Sequence, residues 1–291
     1  MIAARVAVDG VEQLITYPAG EEGQSSAIAL GEVRVSNYFW VNDDWLLIEV
    51  AQPDGTFGTT MIVTRLMSFN AQTQEMIRIK TDRMGQQASD VIWVARDGSP
   101  RVLLAYQQSF NSSEIGFFPE VAMVDVSKNK FNRVQSPREG VFNWIADPNG
   151  VVRVGLGSER GGRQQRVLYR ASDGNDLREI GNTSDNPELP VPIAFLSQPG
   201  AAVGFSDKDG ADAAYNIDLE SMRLGEPLLA IKGYDLTSIL LDKSGWNVAC
   251  AISTPGRRRC GSIPPWRDCN PRSSGRSAVR SRLNRARGMT A

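Results

Sequence analysis

The side chains on which many hydrolases and metalloenzymes depend are missing from this 291-residue sequence. It contains no histidine, so a Ser-His-Asp triad, a Cys-His pair or a histidine-bound metal cannot be completed within it. No serine has a glycine both two residues before and two residues after it, so the G-x-S-x-G nucleophile motif is absent. We therefore expect no chemistry of these kinds from the chain by itself.

Two short segments have the composition of ligand-binding loops but the wrong order. The acidic run from Asp207 to Asp212 resembles a calcium loop, but its glycine comes too early and no glutamate closes it. The glycine-rich run from Gly155 to Gly162 leads into a strand pattern, whereas a phosphate cradle needs a following helix. We expect a solvated turn and a flexible loop, and Asp43-Asp44 also indicates a turn. The sequence thus assigns no catalytic, cofactor-binding or metal-binding residue, and it implies no cofactor.

The three cysteines, Cys250, Cys260 and Cys269, lie close together near the carboxyl end. Their C-x9-C-x8-C spacing contains no C-x2-C pair, and no histidine is available to complete a zinc site. We interpret them as incidental thiols in a disordered tail.

Charge divides the chain into two segments. Residues 256–291 hold ten arginines and one acid, whereas residues 1–255 hold 22 basic and 32 acidic residues. The body therefore carries a net charge of −10 and the tail +9. Because the two segments carry net charges of opposite sign, we do not expect them to form one common surface.

The basic tail, residues 250–291, has three interpretations. It is a disordered solvated segment, or the product of a shifted reading frame, or a basic arm that binds nucleic acid. The change to Arg, Pro, Ser and Gly falls inside a predicted strand, just after Val248, which favours a shifted frame. Nucleic-acid binding is disfavoured because Trp266 is the tail's only aromatic residue.

A repeat of about fifty residues organises the body, residues 1–249. Each copy begins with a strand, a short turn and a second strand, which is typical of a β-hairpin. The turns of these hairpins are predicted at Asn42–Asp44, Asp97-Gly98, Asp147–Gly150, Pro199-Gly200 and Asp242–Gly245. The anchor residue of the first strand recurs at spacings of 53, 51, 50 and 45, at Trp40, Trp93, Trp144, Ala194 and Ile239. The three tryptophans are expected to fill core space between neighbouring sheets.

A second hairpin follows each of the first four, with predicted turns at Asn70–Thr73, Lys128–Lys130, Asp173-Gly174 and near Glu220-Ser221. Two hairpins make four strands, which is one blade of a β-propeller. The sequence therefore predicts an all-β fold, a partial β-propeller of about five four-stranded blades with a disordered basic C-terminal tail. Residues 5–20 resemble the outer hairpin of a further, incomplete blade.

Several blade sequences resemble the N-terminal propeller region of the prolyl oligopeptidase family of serine peptidases. They are VSNYFWVNDDWLLI, MVDVSKNKFNRV and GVFNWIADPNGVVRVGLGSERGGRQQRVLYRASDGNDLREI, and the most similar subgroup is the acylaminoacyl-peptidase and dipeptidyl-peptidase-like members. The resemblance covers about residues 1–248 and includes no catalytic motif. It implies a propeller that gates substrate access to a covalently linked α/β-hydrolase domain, and hence peptide substrates for the intact protein.

The resemblance therefore predicts a truncated, non-catalytic propeller fragment. The alternative is a stand-alone propeller that serves as a binding scaffold. No membrane partner is expected, because the sequence has no apolar run near 18 residues and no secretory signal pattern at its start. A cytoplasmic location is the default expectation. The loop from Gln107 to Phe118, which includes Phe110, Phe117 and Phe118, is expected to face a partner.

Overall fold

The computed structural model describes residues 1–8, 11–20, 25–28, 30, 33–55, 60–159, 164–186, 188–195, 201–241, 248–253 and 279–281. Within these ranges the chain is almost entirely β-structure, with one three-residue 3-10 helix at Ile115–Phe117 and no α-helix. The predicted all-β class is confirmed. None of the described residues forms a helix that is both long and apolar enough to cross a membrane.

Four antiparallel sheets contain four strands each, joined in sequence order. They comprise β4 (Arg34–Trp40), β5 (Trp45–Asp54), β6 (Met61–Asn70) and β7 (Met76–Ile79); β8 (Asp90–Val94), β9 (Arg101–Tyr106), β10 (Glu120–Asp125) and β11 (Lys130–Gln135); β12 (Val141–Ala146), β13 (Val152–Glu159), β14 (Gln164–Tyr169) and β15 (Arg178–Asn182); and β16 (Pro192–Phe195), β17 (Ala201–Ser206), β18 (Ala213–Asp218) and β19 (Arg223–Leu229). These are the first four predicted blades, with the strands in the predicted order.

Two further sheets contain three strands each within the described residues. One is formed by β1 (Ile2–Val8), β2 (Val11–Tyr17) and β3 (Ser26–Ile28), and the other by β20 (Asp235–Leu241), β21 (Val248–Ser253) and β22 (Val279–Ser281). The hairpin predicted near the amino end is confirmed, with Ile2 opposite Tyr17 and Val8 opposite Val11. The fifth predicted blade is present with three strands.

In four of the predicted turns, a glycine or an asparagine adopts a left-handed backbone. Gly98, Gly150 and Gly174 have φ of +80°, +79° and +83°, and Asn129 has φ of +51°. Glycine meets this requirement without a Cβ clash, and asparagine tolerates it. The turns predicted at Pro199-Gly200 and Asp242–Gly245 lie outside the described residues.

The boundary predicted between the body and the tail, at residues 249 and 250, falls within β21. This strand pairs with β20 from Leu241 opposite Val248 to Asp235 opposite Ser253. It also pairs with β22, which comes from the arginine-rich segment. The remainder of the tail lies outside the described residues, so its predicted disorder and its three interpretations stay predictions.

The chain divides into two compact units, residues 1–144 with 155–161, and residues 145–154 with 162–291. In the first unit, two clusters of buried apolar side chains lie between successive sheets. One contains Leu47, Leu104 and Val124, and the other contains Leu14, Leu46 and Phe69. In the second unit, Val203, Ala214 and Leu236 are buried together. Within each unit, sheets thus bury apolar side chains against a neighbouring sheet, as expected of stacked repeats.

Candidate functional site

The acidic run from Asp207 to Asp212 is a turn between β17 and β18, as predicted. Asp209 accepts a 2.6 Å hydrogen bond from the Tyr215 hydroxyl, and the Asp212 amide donates to the Asp235 carboxylate at 3.0 Å. The first of these bonds, together with burial, raises the pKa of Tyr215 to about 12. Among the described residues, no group of three or more acidic or cysteine side chains is placed to hold a metal ion.

Asp43 and Asp44 lie in the turn between β4 and β5, also as predicted. Asn42 organises this turn, since its Oδ1 accepts hydrogen bonds from the amides of Asp44 and Trp45 at 3.1 and 2.8 Å. Its Nδ2 donates to the carbonyl of Gly98, in the corresponding turn of the next sheet, at 2.8 Å. The turn therefore connects two sheets structurally.

The prediction of a flexible loop over Gly155–Gly162 is wrong for its first five residues. Residues 155–159 form the second half of β13. Glycine is required at position 155 because a Cβ there would come within 2.7 Å of the Trp144 ring. The absence of a side chain at Gly155 leaves room for the Trp144 ring. This glycine therefore allows close packing within a strand and does not mark a loop. Residues 160–162 lie outside the described residues.

The three anchor tryptophans differ in burial. Trp144 is 2% exposed, and its indole nitrogen donates a 2.8 Å hydrogen bond to the carbonyl of Pro119. Trp40 is half-buried against the cluster that contains Leu46 and Ile48, and Trp93 is half-buried. Core packing is therefore complete for Trp144 and partial for the other two. Cys250 lies in β21, whereas Cys260 and Cys269 lie outside the described residues.

The loop from Gln107 to Pro119, which joins β9 to β10, is the most elaborately supported connection in the first unit. The carbonyl of Gly116 accepts hydrogen bonds from the amides of Gln108 and Ser109, at 2.8 and 2.9 Å. The buried side chain of Gln107 donates to the carbonyl of Phe117 at 2.7 Å and accepts from the amide of Gln87 at 3.0 Å. Hydrogen bonds therefore hold the loop together internally and attach it to the connection between β7 and β8.

A buried, hydrogen-bonded pair of polar side chains lies where this loop joins β9 and β10. Tyr106, at the end of β9, donates a hydrogen bond to Glu120 Oε1, at the start of β10, and Glu120 is 3% exposed. Burial, with this bond and the Glu120 charge, raises the pKa of the Tyr106 hydroxyl far above its ordinary value. Arg133 of β11 lies 3.8 Å from Glu120 Oε2, an oxygen that is buried without a hydrogen bond.

Three aromatic rings meet where the loop lies beside β12, and we call them the aromatic platform: Phe117, Phe118 and Phe142. The Phe118 and Phe142 rings are 5.2 Å apart, and the Phe117 ring lies 5.7 Å from Phe118 and 6.3 Å from Phe142. All three contacts are edge-to-face, which aromatic rings favour. Phe142 is 40% exposed, and Ile115 of the same loop as Phe117 is 55% exposed.

Two carboxylates lie together near the start of β8. Ser89 donates to Glu49 Oε1 at 2.8 Å, and burial together with the Glu49 charge raises the pKa of Asp90 to about 6. Asp90 as a whole residue is nevertheless exposed to solvent, so water screens part of this effect. Arg65 on β6 donates hydrogen bonds to the carbonyls of Thr64 and Gly85, at 2.7 and 2.9 Å. The bond to Gly85 holds the connection between β7 and β8 against β6.

In the second unit, Arg153 is surrounded by partners. It pairs with Asp147 at 3.0 Å, donates to the carbonyl of Arg170 at 2.7 Å and to the Tyr169 hydroxyl at 3.0 Å. Its guanidinium also lies over the rings of Tyr169 and Phe195. A cation with this many satisfied contacts has a structural role.

Sequence reasoning identified Phe117 and Phe118, named Gln107 only as the start of the loop without its supporting role, and missed Phe142 and Glu120. Glu120 could have been found, because alternation along β10 places it on the same side as Ala122 and Val124, which are fully buried. Phe142 and Gln107 carry no such signal, since their importance depends on partners brought together by the fold.

No family model matches the sequence, and neither does any curated protein. Solved structures do match. A putative TolB from Agrobacterium tumefaciens is 10% identical with a TM-score of 0.51, covering 79% of this chain and 74% of that one. An oligogalacturonate lyase from Vibrio parahaemolyticus is 10% identical, with a TM-score of 0.49 and coverage of 88% and 67%. An acylaminoacyl peptidase is 7% identical, with a TM-score of 0.43 and coverage of 76% and 43%.

The similarity to TolB shows that the chain has a β-propeller fold, here a partial one. The propeller fold that the resemblance implied is confirmed. The chain spans less than half of the acylaminoacyl peptidase. A shared fold does not by itself determine the function. The chain belongs to the β-propeller fold class.

Proposed function

We propose that this chain is the propeller part of a serine peptidase of the prolyl oligopeptidase type and is not itself catalytic. In this role it limits the size of the peptides that reach an α/β-hydrolase domain. The observation that carries the proposal is a series of four-stranded sheets in a sequence that has neither histidine nor a G-x-S-x-G motif. Such a chain can shape an entrance but lacks the residues of a Ser-His-Asp mechanism.

Labelling with a fluorophosphonate probe, which reacts with activated serines, tests the absence of catalysis. The purified chain should remain unlabelled, while an intact acylaminoacyl peptidase under the same conditions should be labelled. Labelling of this chain at a stoichiometric level would contradict the proposal, because it would require an activated serine that the sequence does not support.

The nucleotide sequence beyond codon 249, translated in the other two frames, tests the relation to a peptidase. The proposal predicts that one frame continues the strand pattern of β21 and later encodes a G-x-S-x-G motif followed by Asp and His. If neither frame encodes them, the peptidase assignment is wrong. Cell fractionation tests the accompanying expectation of a cytoplasmic location.

A second candidate is a stand-alone propeller that acts as a binding scaffold. It is favoured by the match to TolB, in which this chain corresponds to 74% of the other protein's length. A scaffold that folds by itself should be monomeric by light scattering and should melt in one cooperative transition. An open series of blades should instead associate or unfold in stages, because its terminal sheets leave faces uncovered.

A further inference from the structure

The turn between β12 and β13 contains a pair of residues, Asn149 and Gly150, whose side chain and main chain can react with each other. Asn149 is the one asparagine in the sequence that is followed by glycine. Because glycine has no Cβ, nothing shields its backbone nitrogen from the side-chain carbonyl of the preceding asparagine. Asn149 is exposed, and no residue in the described part of the chain is hydrogen-bonded to its side-chain amide. The amide is therefore open to attack.

Attack of the Gly150 nitrogen on Cγ of Asn149 deamidates the asparagine. As the new N–Cγ bond closes a cyclic succinimide, the bond from Cγ to the side-chain nitrogen breaks. That nitrogen takes up the proton lost by the Gly150 amide and leaves as ammonia. Water then opens the ring at either carbonyl carbon, which yields aspartate or isoaspartate. The reaction consumes only water, so it requires neither a cofactor nor a catalytic residue.

The turn keeps the Gly150 nitrogen away from Cγ of Asn149. The Gly150 amide donates a 3.0 Å hydrogen bond to the carbonyl of Asp147, so Pro148 and Asn149 are the central residues of a β-turn. The second central residue of such a turn has a ψ of about 0°. Ring closure instead requires the Gly150 nitrogen to eclipse Cβ of Asn149. The main chain must therefore rotate at Asn149, and the bond to Asp147 must break.

The side chain of Asp147 stabilises this turn. Its Oδ1 accepts hydrogen bonds from the amides of Asn149 and Val151, at 2.9 and 3.1 Å, and Asp147 is 7% exposed. Its Oδ2 pairs with Arg153 at 3.0 Å, and Arg153 also donates to the carbonyl of Arg170. Hydrogen bonds to a carboxylate are stronger than those between neutral groups, so the carboxylate opposes opening of the turn.

We propose that Asn149 is a site of spontaneous deamidation and that the Asp147 side chain slows the reaction in the folded chain. The product carries a new carboxylate two residues after Asp147, and isoaspartate also lengthens the main chain by a methylene group. Both changes disfavour the turn, so the deamidated chain has a less stable β12–β13 hairpin. The inference does not depend on the proposed function.

The test incubates the purified full chain at mildly alkaline pH and follows the mass of the peptide that contains Asn149. Methylation by an isoaspartyl methyltransferase detects the isoaspartate product. Asn149 should react before Asn111, which is also exposed but is followed by Ser112 and has its side-chain amide bonded within its own loop. The chain unfolded in urea should react faster at Asn149 than the folded chain, because the turn is then lost.

Two substitutions test the role of Asp147. Asp147→Ala should raise the rate at Asn149 by about 10-fold or more, the factor that corresponds to one hydrogen bond to a charged group. Asp147→Asn keeps an oxygen acceptor but loses the ion pair with Arg153, so its rate should be intermediate. This second substitution creates no additional site, because the nitrogen of Pro148 carries no proton.

Asp125→Ala is the matched control, because Asp125 Oδ1 accepts the amide of Ser127 in a turn of a different sheet. Its rate at Asn149 should stay within about two-fold of the parent chain, as expected of a distant site with no shared partner. Equal rates in the parent chain and both Asp147 variants would show that Asp147 does not restrain the reaction. Faster reaction at Asn111 would overturn the assignment of the site. If circular dichroism shows that Asp147→Ala does not fold, the comparison of the parent chain with Asp147→Asn decides.

Discussion

Gly155 lies directly against the indole ring of Trp144, so closely that a Cβ at position 155 would stand 2.7 Å from Cζ3 of that ring. Trp144 in turn holds the carbonyl of Pro119 through its indole nitrogen. The absence of one methyl group on β13 thus makes room for the ring that anchors the end of the loop 107–119. Substitutions along this series of contacts should therefore affect more than local packing.

Gly155→Ala should destabilise the first unit, because the added methyl group overlaps Trp144 and Val141. Overpacking of this kind costs about 1–3 kcal/mol. Thermal unfolding followed by circular dichroism measures the effect. Gly55→Ala is the control, since a Cβ at Gly55 meets nothing within 4 Å, and its stability should be unchanged or slightly higher. Equal stability of the two variants would show that the ring can move aside.

Asn42→Asp should lose the bond between neighbouring sheets while keeping the turn. Aspartate retains the Oδ1 that accepts from Asp44 and Trp45 but lacks the amide that donates to Gly98. The expected loss of stability is about 1 kcal/mol, the usual contribution of one hydrogen bond. The control is Asn70→Asp, since Asn70 uses the same acceptor for a turn within one sheet. A urea titration compares the two, and similar midpoints would contradict the proposed link.

Asp90→Asn should change how stability depends on pH. Burial, followed by the Glu49 charge, raises the pKa of Asp90 from 3.8 to about 6 in the folded chain. The folded chain therefore binds this proton more tightly than the unfolded chain, so stability falls as the pH rises from 3.8 to about 6. The penalty is fully present above that range, and the neutral amide should remove it.

Because Asp90 also faces solvent, we expect screening to limit the gain at neutral pH to about 1 kcal/mol or less. Unfolding midpoints measured across this pH range check the slope. Asp97→Asn should act in the opposite direction, since hydrogen bonds from Ser99 lower the pKa of Asp97 to about 2. Its charge stabilises the fold above 3.8, and that contribution disappears as the pH falls through about 2. If the unfolding midpoints of the two variants depended on pH in the same way, this account would be contradicted.

Tyr106→Phe should destabilise the fold, because it removes the hydroxyl that donates to the buried carboxylate of Glu120. A buried acceptor left without its donor costs about 1–3 kcal/mol. Adding Glu120→Gln should restore part of that loss, since a neutral amide is less costly to bury than a carboxylate that has lost its hydrogen bond. Chemical denaturation of both single variants and the double variant gives the coupling between them. Strict additivity would show that the pair does not interact.

The repeat, the hairpins and most turns could be predicted from the sequence because they depend on local signals. The spacing of anchors from Trp40 to Ile239 and the left-handed turn residues Gly98 and Gly174 each report on their own neighbourhood. Their agreement with the four complete sheets reflects consistency between local preference and global fold.

The contacts that support the platform could not be predicted in the same way. Trp144 and Pro119 are 25 residues apart in sequence, and no local sequence pattern predicts the hydrogen bond between them. Gly155 was misinterpreted because glycine alone signals a loop, whereas its actual role depends on a ring from another strand. Such features depend on tertiary packing, which overrides local propensity.

The first unit carries specific polar bonds between neighbouring sheets in addition to apolar contact. Ser68 donates to the carbonyl of Val126 at 2.7 Å, and Asn129 exchanges two 2.9 Å bonds with the main chain of Lys80. Each bond requires one particular neighbour, so these blades are not interchangeable modules. In a chimera in which the fourth blade replaced the second, Ser68 and the main chain of Lys80 would lose these hydrogen-bond partners. The pattern of strands would nevertheless be preserved.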